Sequence, residues 1–514
     1  MADKEKFIAH INEGYTFKGD YIVLGTSILE KEALPGVHIK LPLKTLNRHG
    51  LIAGATGTGK TKTLQILAEG FSSKSIPVFV MDIKGDFSGI AMPGETNDKI
   101  VDRMTKIGLP FVPTGFPVEF LTISNEKGVR LRATVSEFGP VLFSKMLGLN
   151  DAQTGVMAMI FKYCDDNKLP LLDLKDMIKM LQYISNEGKE ELQKSYGNIA
   201  TTSVGTILRK VIELEQQGAD MFFGETSFEV EDLVRTDNQG RGIISIIRLT
   251  DIQSKPKLFS TFLLCLLVEI YNTFPEVGDL DQPKLVMFID EAHLIFNEAT
   301  KELLDQIETI IKLIRSKGVG IFFCTQNPID IPESVLAQLG LKIQHALRAF
   351  TAKDRKQIKL IAENYPLSDY YKTEDMLTSL GTGEAAISVL NEKGNPAPLS
   401  ATLVCAPLSR MNILSPGEID SIAAKSRLIN KYNGIIDRES AYEILTKKLE
   451  ESGKQEEEKD EEEKQKTREP STVEKVMKST TARQVGRTVA REITRGILGV
   501  LGIGGSSRKK KNWF

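Results

Sequence analysis

The sequence predicts an α/β fold with a parallel sheet that is covered by helices on both faces. Short apolar runs alternate with segments of helical periodicity over much of the chain. A glycine-rich loop follows the apolar run at residues 51–53, and another apolar run ends in two carboxylates at residues 290–291. Continuous apolar strands are typical of parallel sheets, because helices bury both faces of each strand.

A phosphate-binding motif is carried by residues 51–61, LIAGATGTGKT. Its core matches G-x-x-x-x-G-K-[ST] in full, and it lies between an apolar run and a helical pattern, as a strand-loop-helix unit requires. Backbone N–H groups of such a loop surround the β-phosphate, and the helix N-terminus favours the anion. The predicted nucleotide-binding residues of this motif are Gly54, Ala55, Thr56, Gly57, Thr58, Gly59, Lys60, Thr61 and Lys62.

Four side chains have predicted roles in binding ATP and Mg²⁺ and in hydrolysis. Lys60 would reach the β- and γ-phosphates, and the Thr61 hydroxyl would bind Mg²⁺. The apolar run at 285–289, which follows Lys284, leads into Asp290 and Glu291. Asp290 would hold the water shell of Mg²⁺, and Glu291 would polarise the attacking water. Because hydrolysis requires such a base, the pair and the loop together predict an ATPase.

Other candidate residues each have two interpretations. Gln326 follows a strand that should lie beside the Asp290 strand, where it would sense the γ-phosphate or simply begin a turn. Asp82 ends a neighbouring strand at the carboxyl edge, where it would position Mg²⁺ or water or else cap a loop. Arg315 or Arg348 would neutralise charge on the γ-phosphoryl group from an adjacent subunit, or form a structural salt bridge.

Composition indicates an ordinary globular protein. Of the 514 residues, 26% are charged and 41% are hydrophobic, and the length suggests two or three structural units. The four cysteines include no C-x-x-C pair, so buried thiols are expected and not disulfides or zinc ligands. Polar residues interrupt the longest apolar run at 258–274, and the amino terminus has no apolar signal core. We therefore expect a cytoplasmic protein. Separately, His49 and His293 are expected to have structural roles.

Six segments are predicted along the chain. They are a small β element (1–48), a nucleotide-binding core (49–97 and 240–410), a helical subdomain inserted into that core (98–239), a helical extension (411–449), an acidic linker (450–470) and a basic amphipathic tail (471–514).

The two carboxyl-terminal segments carry opposite charges. Residues 450–469 contain ten acids and five bases, whereas residues 471–514 contain ten bases and two acids. Arginines recur every four residues at 483–495, and Val and Ile recur on the opposite face of the predicted helix. This pattern predicts binding to an anionic membrane surface, DNA or an acidic protein partner, and a helix docked on its own ring is the alternative. Residues 1–449 are mildly acidic and give no bulk-charge argument for DNA.

Together these residues resemble the HerA/FtsK group of P-loop motor ATPases in the additional-strand division, and most closely the bacterial HerA-like helicase C-terminal domain proteins (YjgR-like). The resemblance implies a RecA-like core and homo-hexameric rings that translocate DNA through a central pore. It also implies that Arg315 matches the trans-acting arginine of the family. The segments that carry the resemblance are residues 48–61, 82–89, 288–293, 325–328, 344–350 and 381–384.

Three functions remain open from the sequence. The first is an ATP-driven DNA translocase or helicase. The second is a related motor that transports protein or is associated with a membrane through the basic tail. The third is a nucleotide-gated scaffold with slow hydrolysis. Superfamily-2 DEAH helicases are excluded because their arginine-rich Q-x-x-G-R-x-G-R motif is absent from the sequence.

Overall fold

A computed structural model of the chain describes residues 2–451 except 254, 279, 299–300, 435 and 437, and also describes residue 454. The chain divides into two compact units, Met1–Lys448 and Leu449–Phe514. The basic tail predicted at 471–514 lies outside the described residues, as does most of the acidic linker predicted at 450–470. Both stay predictions.

One sheet of twelve strands is the centre of the first unit, as far as the structure describes it. The strands are β1 (Tyr21–Leu29), β2 (Glu32–Pro42), β3 (Gly50–Ala53), β4 (Val78–Asp82), β5 (Val118–Thr122), β6 (Val129–Arg130), β7 (Ile244–Arg248), β8 (Leu285–Ile289), β9 (Val319–Thr325), β10 (Leu341–His345), β11 (Glu384–Ser388) and β12 (Ser400–Val404). Their order in space is β2-β1-β12-β11-β10-β3-β9-β8-β4-β7-β5-β6.

The prediction of a parallel sheet is right for the strands from β10 to β6 and wrong for β11, β12, β1 and β2. The first group pairs in parallel throughout. The others pair antiparallel, so the sheet is mixed. The reason is visible between β1 and β2, which are joined only by Glu30 and Lys31, both with positive φ. So short a turn closes a hairpin, because a parallel pair needs a long crossover.

Helices cover the sheet and fill the predicted insertion. They are α1 (Ala2–Gly14), α2 (Lys60–Ser73), α3 (Asp98–Ile107), α4 (Val135–Met146), α5 (Asp151–Asp166), α6 (Leu174–Ser185), α7 (Lys189–Tyr196), α8 (Thr201–Gln216), α9 (Pro256–Thr273), α10 (His293–Glu298), α11 (Lys301–Ile314), α12 (Glu333–Leu336), α13 (Ala352–Glu363), α14 (Thr373–Ser379), α15 (Pro416–Ala423) and α16 (Ile429–Tyr432), and residues 441–448 are also helical.

The sheet crosses several of the predicted segment boundaries. Helices α4–α8 lie within residues 98–239, but β5 and β6 come from the same stretch and extend the central sheet beside β7. From residues 1–48, β1 and β2 join the opposite edge through β12. The segment boundaries therefore stay predictions, while the sheet itself is continuous.

A cluster of three phenylalanines fixes the helix that follows the phosphate-binding motif. Phe71 on α2 packs 6.0 Å from Phe288 on β8 and 5.9 Å from Phe322 on β9, measured between ring centroids. All three side chains are fully buried. Burial of this much aromatic surface orients α2 across the strands, and thus the motif relative to the end of β8.

The apolar helix α9 packs inside the protein, as the sequence predicts. Phe262, Leu266 and Ile270 on this helix are completely buried. Among the described residues, no helix combines the length and the hydropathy that are needed to cross a membrane. All four cysteines are free thiols, two of them buried and two partly buried, in agreement with the sequence-based expectation.

Candidate nucleotide-binding site

The phosphate-binding motif forms the predicted strand-loop-helix. Its loop leaves the carboxyl end of β3 and leads into α2, which begins at Lys60. Gly54, Gly57 and Gly59 have φ values of +152°, +77° and +117°, a region that side chains disfavour. Gly57 has no neighbouring atom within 4 Å of the position that a Cβ would occupy, so the loop is open at this point.

Two neighbouring segments hold the loop by backbone hydrogen bonds. The N–H of Ala55 donates to the carbonyl of Ala346, just after β10, at 2.9 Å. The N–H of Gly383 donates to the carbonyl of Thr58 at 2.9 Å. The loop therefore depends on a turn at residues 381–383 that is more than 300 residues away in the sequence.

His345, at the end of β10, connects the first turn of α2 to β11. Its Nε2 lies 2.9 Å from the Thr63 hydroxyl, and its Nδ1 lies 2.9 Å from the carbonyl of Glu384. Burial lowers the pKa of His345 to about 4, so the ring is neutral at neutral pH. A neutral imidazole can donate with one nitrogen and accept with the other, and both contacts use this capacity.

Arg103 on α3 fixes the 381–383 turn. Its Nη1 donates to the carbonyls of Gly383 (3.0 Å) and Val404 (2.9 Å), and its Nη2 donates to the carbonyl of Thr382 (3.1 Å). Sequence reasoning missed this arginine, because it lies in an ordinary amphipathic helix. The contact exists only after α3 packs beside β12 and the turn.

Lys60 and Thr61 are both engaged by protein groups. Lys60 Nζ donates to the carbonyls of Gly54 (2.8 Å) and Ala55 (3.2 Å) of its own loop. Burial lowers the pKa of Lys60 below its ordinary value. The Thr61 hydroxyl donates to Asp86 Oδ2 at 3.2 Å. Thus a carboxylate lies beside the hydroxyl that is predicted to bind Mg²⁺.

The carboxylates at the end of β8 lie at the same edge of the sheet. Burial and the nearby charge of Glu291 raise the pKa of Asp290 to about 6. Glu291 has a φ of +47° and forms an ion pair with Lys84, while His293 Nδ1 lies 3.1 Å from its second oxygen. Neither oxygen of Glu291 receives an aligned hydrogen bond within the described part of the chain. The side chain therefore keeps acceptor capacity for a water molecule.

The geometry favours the capping interpretation of Asp82. Its two oxygens accept hydrogen bonds from the N–H groups of Gly85 (2.8 Å) and Phe87 (3.2 Å). Burial and the charge of Asp86 raise the pKa of Asp82 to about 7. Asp82 thus shapes the loop after β4, whereas Asp86 within that loop is the carboxylate that touches Thr61. The sequence alone did not indicate which of the two aspartates would contact the phosphate-binding motif.

Gln326 contacts the phosphate loop, whereas Lys62 contacts residues outside it. Strand β9 pairs with both β3 and β8, as expected for the strand that precedes Gln326. Gln326 Oε1 accepts a hydrogen bond from the Thr56 hydroxyl at 3.4 Å, so this glutamine contacts the loop directly. Lys62 Nζ donates to the carbonyl of Met411 at 2.5 Å and to Gln65 at 3.2 Å.

Comparison with known families agrees with this arrangement of loop, acids and strands. A family model described as Helicase HerA-like C-terminal matches residues 28–509. The chain belongs to this family. The resemblance that the sequence motifs indicated is confirmed at this level.

Relatives within and near the HerA-like family share only part of their length with this chain. The DNA double-strand break repair helicase HerA of Sulfolobus acidocaldarius is 23% identical over 358 residues, which make up 68% of this chain and 64% of that protein. The DNA import protein CedB of the same organism is 25% identical over 360 residues, 69% of this chain and 52% of that protein. The chain thus matches less than two thirds of each relative.

A solved structure shows the same fold. The plasmid coupling protein TrwB in complex with ADP and Mg²⁺ aligns with a TM-score of 0.50 and 13% identity, over 78% of this chain and 98% of TrwB. The RecA-like α/β fold expected from the sequence is therefore confirmed. As expected for the additional-strand division, β9 lies between the loop strand β3 and the acid strand β8.

The two candidate arginines of this HerA-like chain lie at opposite ends of the parallel strands. Arg315 lies near their amino ends, and Arg348 lies near their carboxyl ends. Arg315 follows α11 and borders a cavity of about 340 Å³ with His49, the residue before β3. The phosphate loop leaves the other end of β3, so Arg315 is remote from its own loop. Arg348 is exposed just after β10, at the loop's edge, and its Nη1 lies 3.4 Å from the Thr378 carbonyl.

The cavity beside Arg315 is basic. Every charged side chain in its wall is a base: the others are Arg48, Lys312 and Lys342. His49 is held by backbone groups instead, with Nε2 at 2.9 Å from the Ile311 carbonyl and Nδ1 accepting from the Ile321 N–H at 3.0 Å. Burial lowers the pKa of His49 to about 4. These contacts agree with the expected structural role of His49.

We predict that Arg103→Ala weakens ATP binding about tenfold, since hydrogen bonds to a charged donor contribute about 1.5–3 kcal/mol and the 381–383 turn would lose its donor. Titration calorimetry of the full chain measures the affinity. Lys106→Ala, one turn later on α3 and paired with Asp102 at the surface, is the control and should bind normally. Equal affinities in both variants would show that the turn holds the loop without Arg103.

Proposed function

We propose that this chain is an ATP-hydrolysing motor subunit that acts in a homo-hexameric ring and moves DNA. The observation that carries the proposal is the convergence of the phosphate loop and the Asp290–Glu291 pair at one sheet edge, separated by the single strand β9. Membership in the HerA-like family supports the proposal of a motor ATPase. The motifs on which the resemblance to this family rests include the phosphate loop and the Asp290–Glu291 pair that form the site.

The residues present fit ATP and Mg²⁺. Lys60 is satisfied by two carbonyls of its own loop, and it can exchange them for phosphate oxygens when the nucleotide enters. Oxygen atoms that could serve Mg²⁺ are supplied by Thr61 at the start of α2, Asp86 in the loop after β4 and Asp290 at the end of β8. In the part of the chain that the structure describes, no group of three or more His, Cys, Asp or Glu could hold a metal ion. Mg²⁺ that arrives with a nucleotide needs only one or two protein carboxylates besides phosphate and water.

Glu291 is the proposed base. It would accept a proton from the water whose oxygen attacks the γ-phosphorus, while the bond to the β–γ bridging oxygen breaks and ADP and phosphate leave. Its buried position at the end of β8 supports this role, and its two oxygens have lone pairs left for a water molecule beside the contact with Lys84. Bound Mg²⁺ would neutralise part of the phosphate charge.

The basic cavity around Arg315 supports a ring. A positive group must approach the γ-phosphate as charge develops there, yet Arg315 lies at the wrong end of β3 to serve its own loop. In a head-to-tail ring the same face would meet the loop of the next subunit. Arg315 is therefore the proposed trans-acting arginine, with Arg348 as the competing candidate at the opposite edge.

DNA is the proposed cargo. Two relatives are named for work on DNA, one as a repair helicase and one as an import protein. Their matches span 68% and 69% of this chain, and a translocating ring would couple hydrolysis in its nucleotide-binding core to movement of the DNA. The anionic surface or acidic partner predicted for residues 471–514 remains part of the proposal only as an accessory contact.

The ATPase proposal predicts different defects for two substitutions. Lys60→Ala should abolish tight ATP binding, because the β- and γ-phosphates lose their fixed cation. Glu291→Gln should bind ATP at least as tightly as the parental chain and lower turnover by about 10²-fold or more, because the proton acceptor is lost while the phosphate-binding groups stay. Calorimetry gives the affinity, and phosphate release gives the rate. Parental turnover in Glu291→Gln would show that another group is the base.

A trans-acting Arg315 predicts complementation between two inactive variants. Arg315→Ala should bind ATP and form rings but lose most turnover, because the arginine acts mainly in the transition state. Mixed with Lys60→Ala subunits, it should recover part of the activity, since some interfaces then pair an intact loop with an intact arginine. Arg348→Ala is the matched comparison and should stay active. Mixed rings without recovery would indicate that Arg315 acts within its own subunit or only structurally.

A DNA motor should hydrolyse ATP faster when DNA is present. We expect a severalfold increase in the steady-state rate with double-stranded DNA, and the increase should diminish with salt because phosphate contacts are ionic. Glu291→Gln provides the background rate. An unchanged rate across a DNA titration, with ATP still hydrolysed, would reject DNA as the cargo and favour protein transport or a scaffold.

A further inference from the structure

Lys84 forms an ion pair that joins a buried acid of the site to a partly exposed base. Its Nζ contacts Glu291 Oε1, and the side chains of the two residues are 39% and 5% exposed, respectively. Lys84 lies in the loop after β4, within the segment 82–89, but the sequence analysis gave it no role in the site. The proposed base is therefore neutralised by a nearby cation.

The backbone around Lys84 is firmly held. The Asp82 side chain caps the loop at Gly85 and Phe87, and Gln253 Nε2 donates to the carbonyl of Ile83 at 2.6 Å. The next carboxylate along the loop, Asp86, touches Thr61 of the phosphate motif. With the backbone fixed on both sides, the movable part of this loop is the long side chain of Lys84.

Glu291 is the less movable member of the pair. It is almost fully buried, and its φ of +47° leaves its backbone in a region with few accessible alternatives. Lysine has a flexible four-carbon stem and a compact charge that can pair with carboxylate or phosphate oxygens. When the pair opens, it is Lys84 that moves.

A triphosphate would compete for this ammonium group. Asp290 and Glu291 are electrostatic neighbours of both Lys84 and Lys60, the lysine of the phosphate loop. The γ-phosphate of a nucleotide seated on Lys60 would thus arrive within the same cluster. ADP has no γ-phosphate, so the Lys84–Glu291 pair would persist with ADP.

We propose that Lys84 senses the terminal phosphate: its ammonium pairs with Glu291 in the nucleotide-free and ADP states and moves to the γ-phosphate of ATP, which releases Glu291 to the attacking water. The inference rests on the proposed ATPase function and adds to it a positioning residue. Glu291 is then available as a base only while the group to be cleaved is present.

The first test compares two ligands on one substitution. Lys84→Met in the full chain should weaken binding of a non-hydrolysable ATP analogue with Mg²⁺ about tenfold, as for the loss of one hydrogen bond to a charged group. Binding of ADP with Mg²⁺ should not change. Lys84→Arg should restore most of the analogue affinity, because the charge is kept. An equal loss for ADP and the analogue would overturn the proposal and leave Lys84 a structural partner of Glu291.

Lys74→Met is the matched control. Lys74 is exposed to a similar degree, 35%, and also forms an ion pair, with Asp20 at 3.1 Å. It lies at the end of α2 remote from the phosphate loop, so this substitution should leave both affinities unchanged. A selective loss of analogue affinity in this variant would overturn the assignment to Lys84.

The second test is a double-mutant cycle. It compares Lys84→Met, Glu291→Gln and the double variant with the parental chain, so the result does not depend on Lys84→Met alone. Glu291→Gln removes the competitor for the ammonium, so it should raise analogue affinity severalfold over the parental chain. Adding Lys84→Met should cancel that gain. Additive effects of the two substitutions would overturn the sensor.

Failure of the sensor and failure of the ATPase proposal give different results. If Lys60→Ala binds the analogue normally, the site is not a nucleotide site and both proposals fall. If Lys60→Ala loses binding while Lys84→Met keeps the parental ratio of analogue to ADP affinity, only the sensor falls.

Discussion

The packing of α2 on β8 and β9 is the contact on which the site depends. Phe71, Phe288 and Phe322 fill the space between the helix and the sheet, and none of them is accessible to solvent. The first residue of α2 is the motif lysine, and β8 runs directly into Asp290. One apolar cluster therefore sets the distance between the loop that would bind phosphate and the acids that would act on it. Interior packing is dense enough that a loose fit here would shift both.

The carboxyl ends of the strands at the site bring several acidic side chains close together, and their mutual repulsion is reduced by nearby cations. Burial and neighbouring acids raise the pKa values of Asp82 and Asp290 to about 7 and about 6. These directions mean that the ionised forms of both carboxyl groups are disfavoured by their surroundings. Lys60 and Lys84 offset part of the charge, and Mg²⁺ would offset more.

The two ends of the parallel strands have opposite chemical character. At the carboxyl ends lie the glycine loop, the acids and the turn clamped by Arg103. At the amino ends, beside His49, lies the cavity whose charged residues are all basic. Parallel strands create this division, because every strand presents the same end to the same edge. A subunit with an acid-rich phosphate site on one edge and a basic cavity on the other suits head-to-tail assembly, in which unlike faces meet.

The sequence by itself determined the local units of the site and the family. The spacing in residues 54–61 dictates how the loop turns, and a continuous apolar run predicts that Asp290 stands at a strand end. Both follow from neighbours in the chain, so no knowledge of distant contacts is needed. Only the tertiary structure decided that Asp86 touches Thr61, that Arg103 clamps a turn remote in sequence, and that Lys84 pairs with Glu291. It also decided which strands run antiparallel. These are contacts between segments far apart in the chain, and hydrophobic periodicity carries no information about which polar side chains will meet once those segments pack.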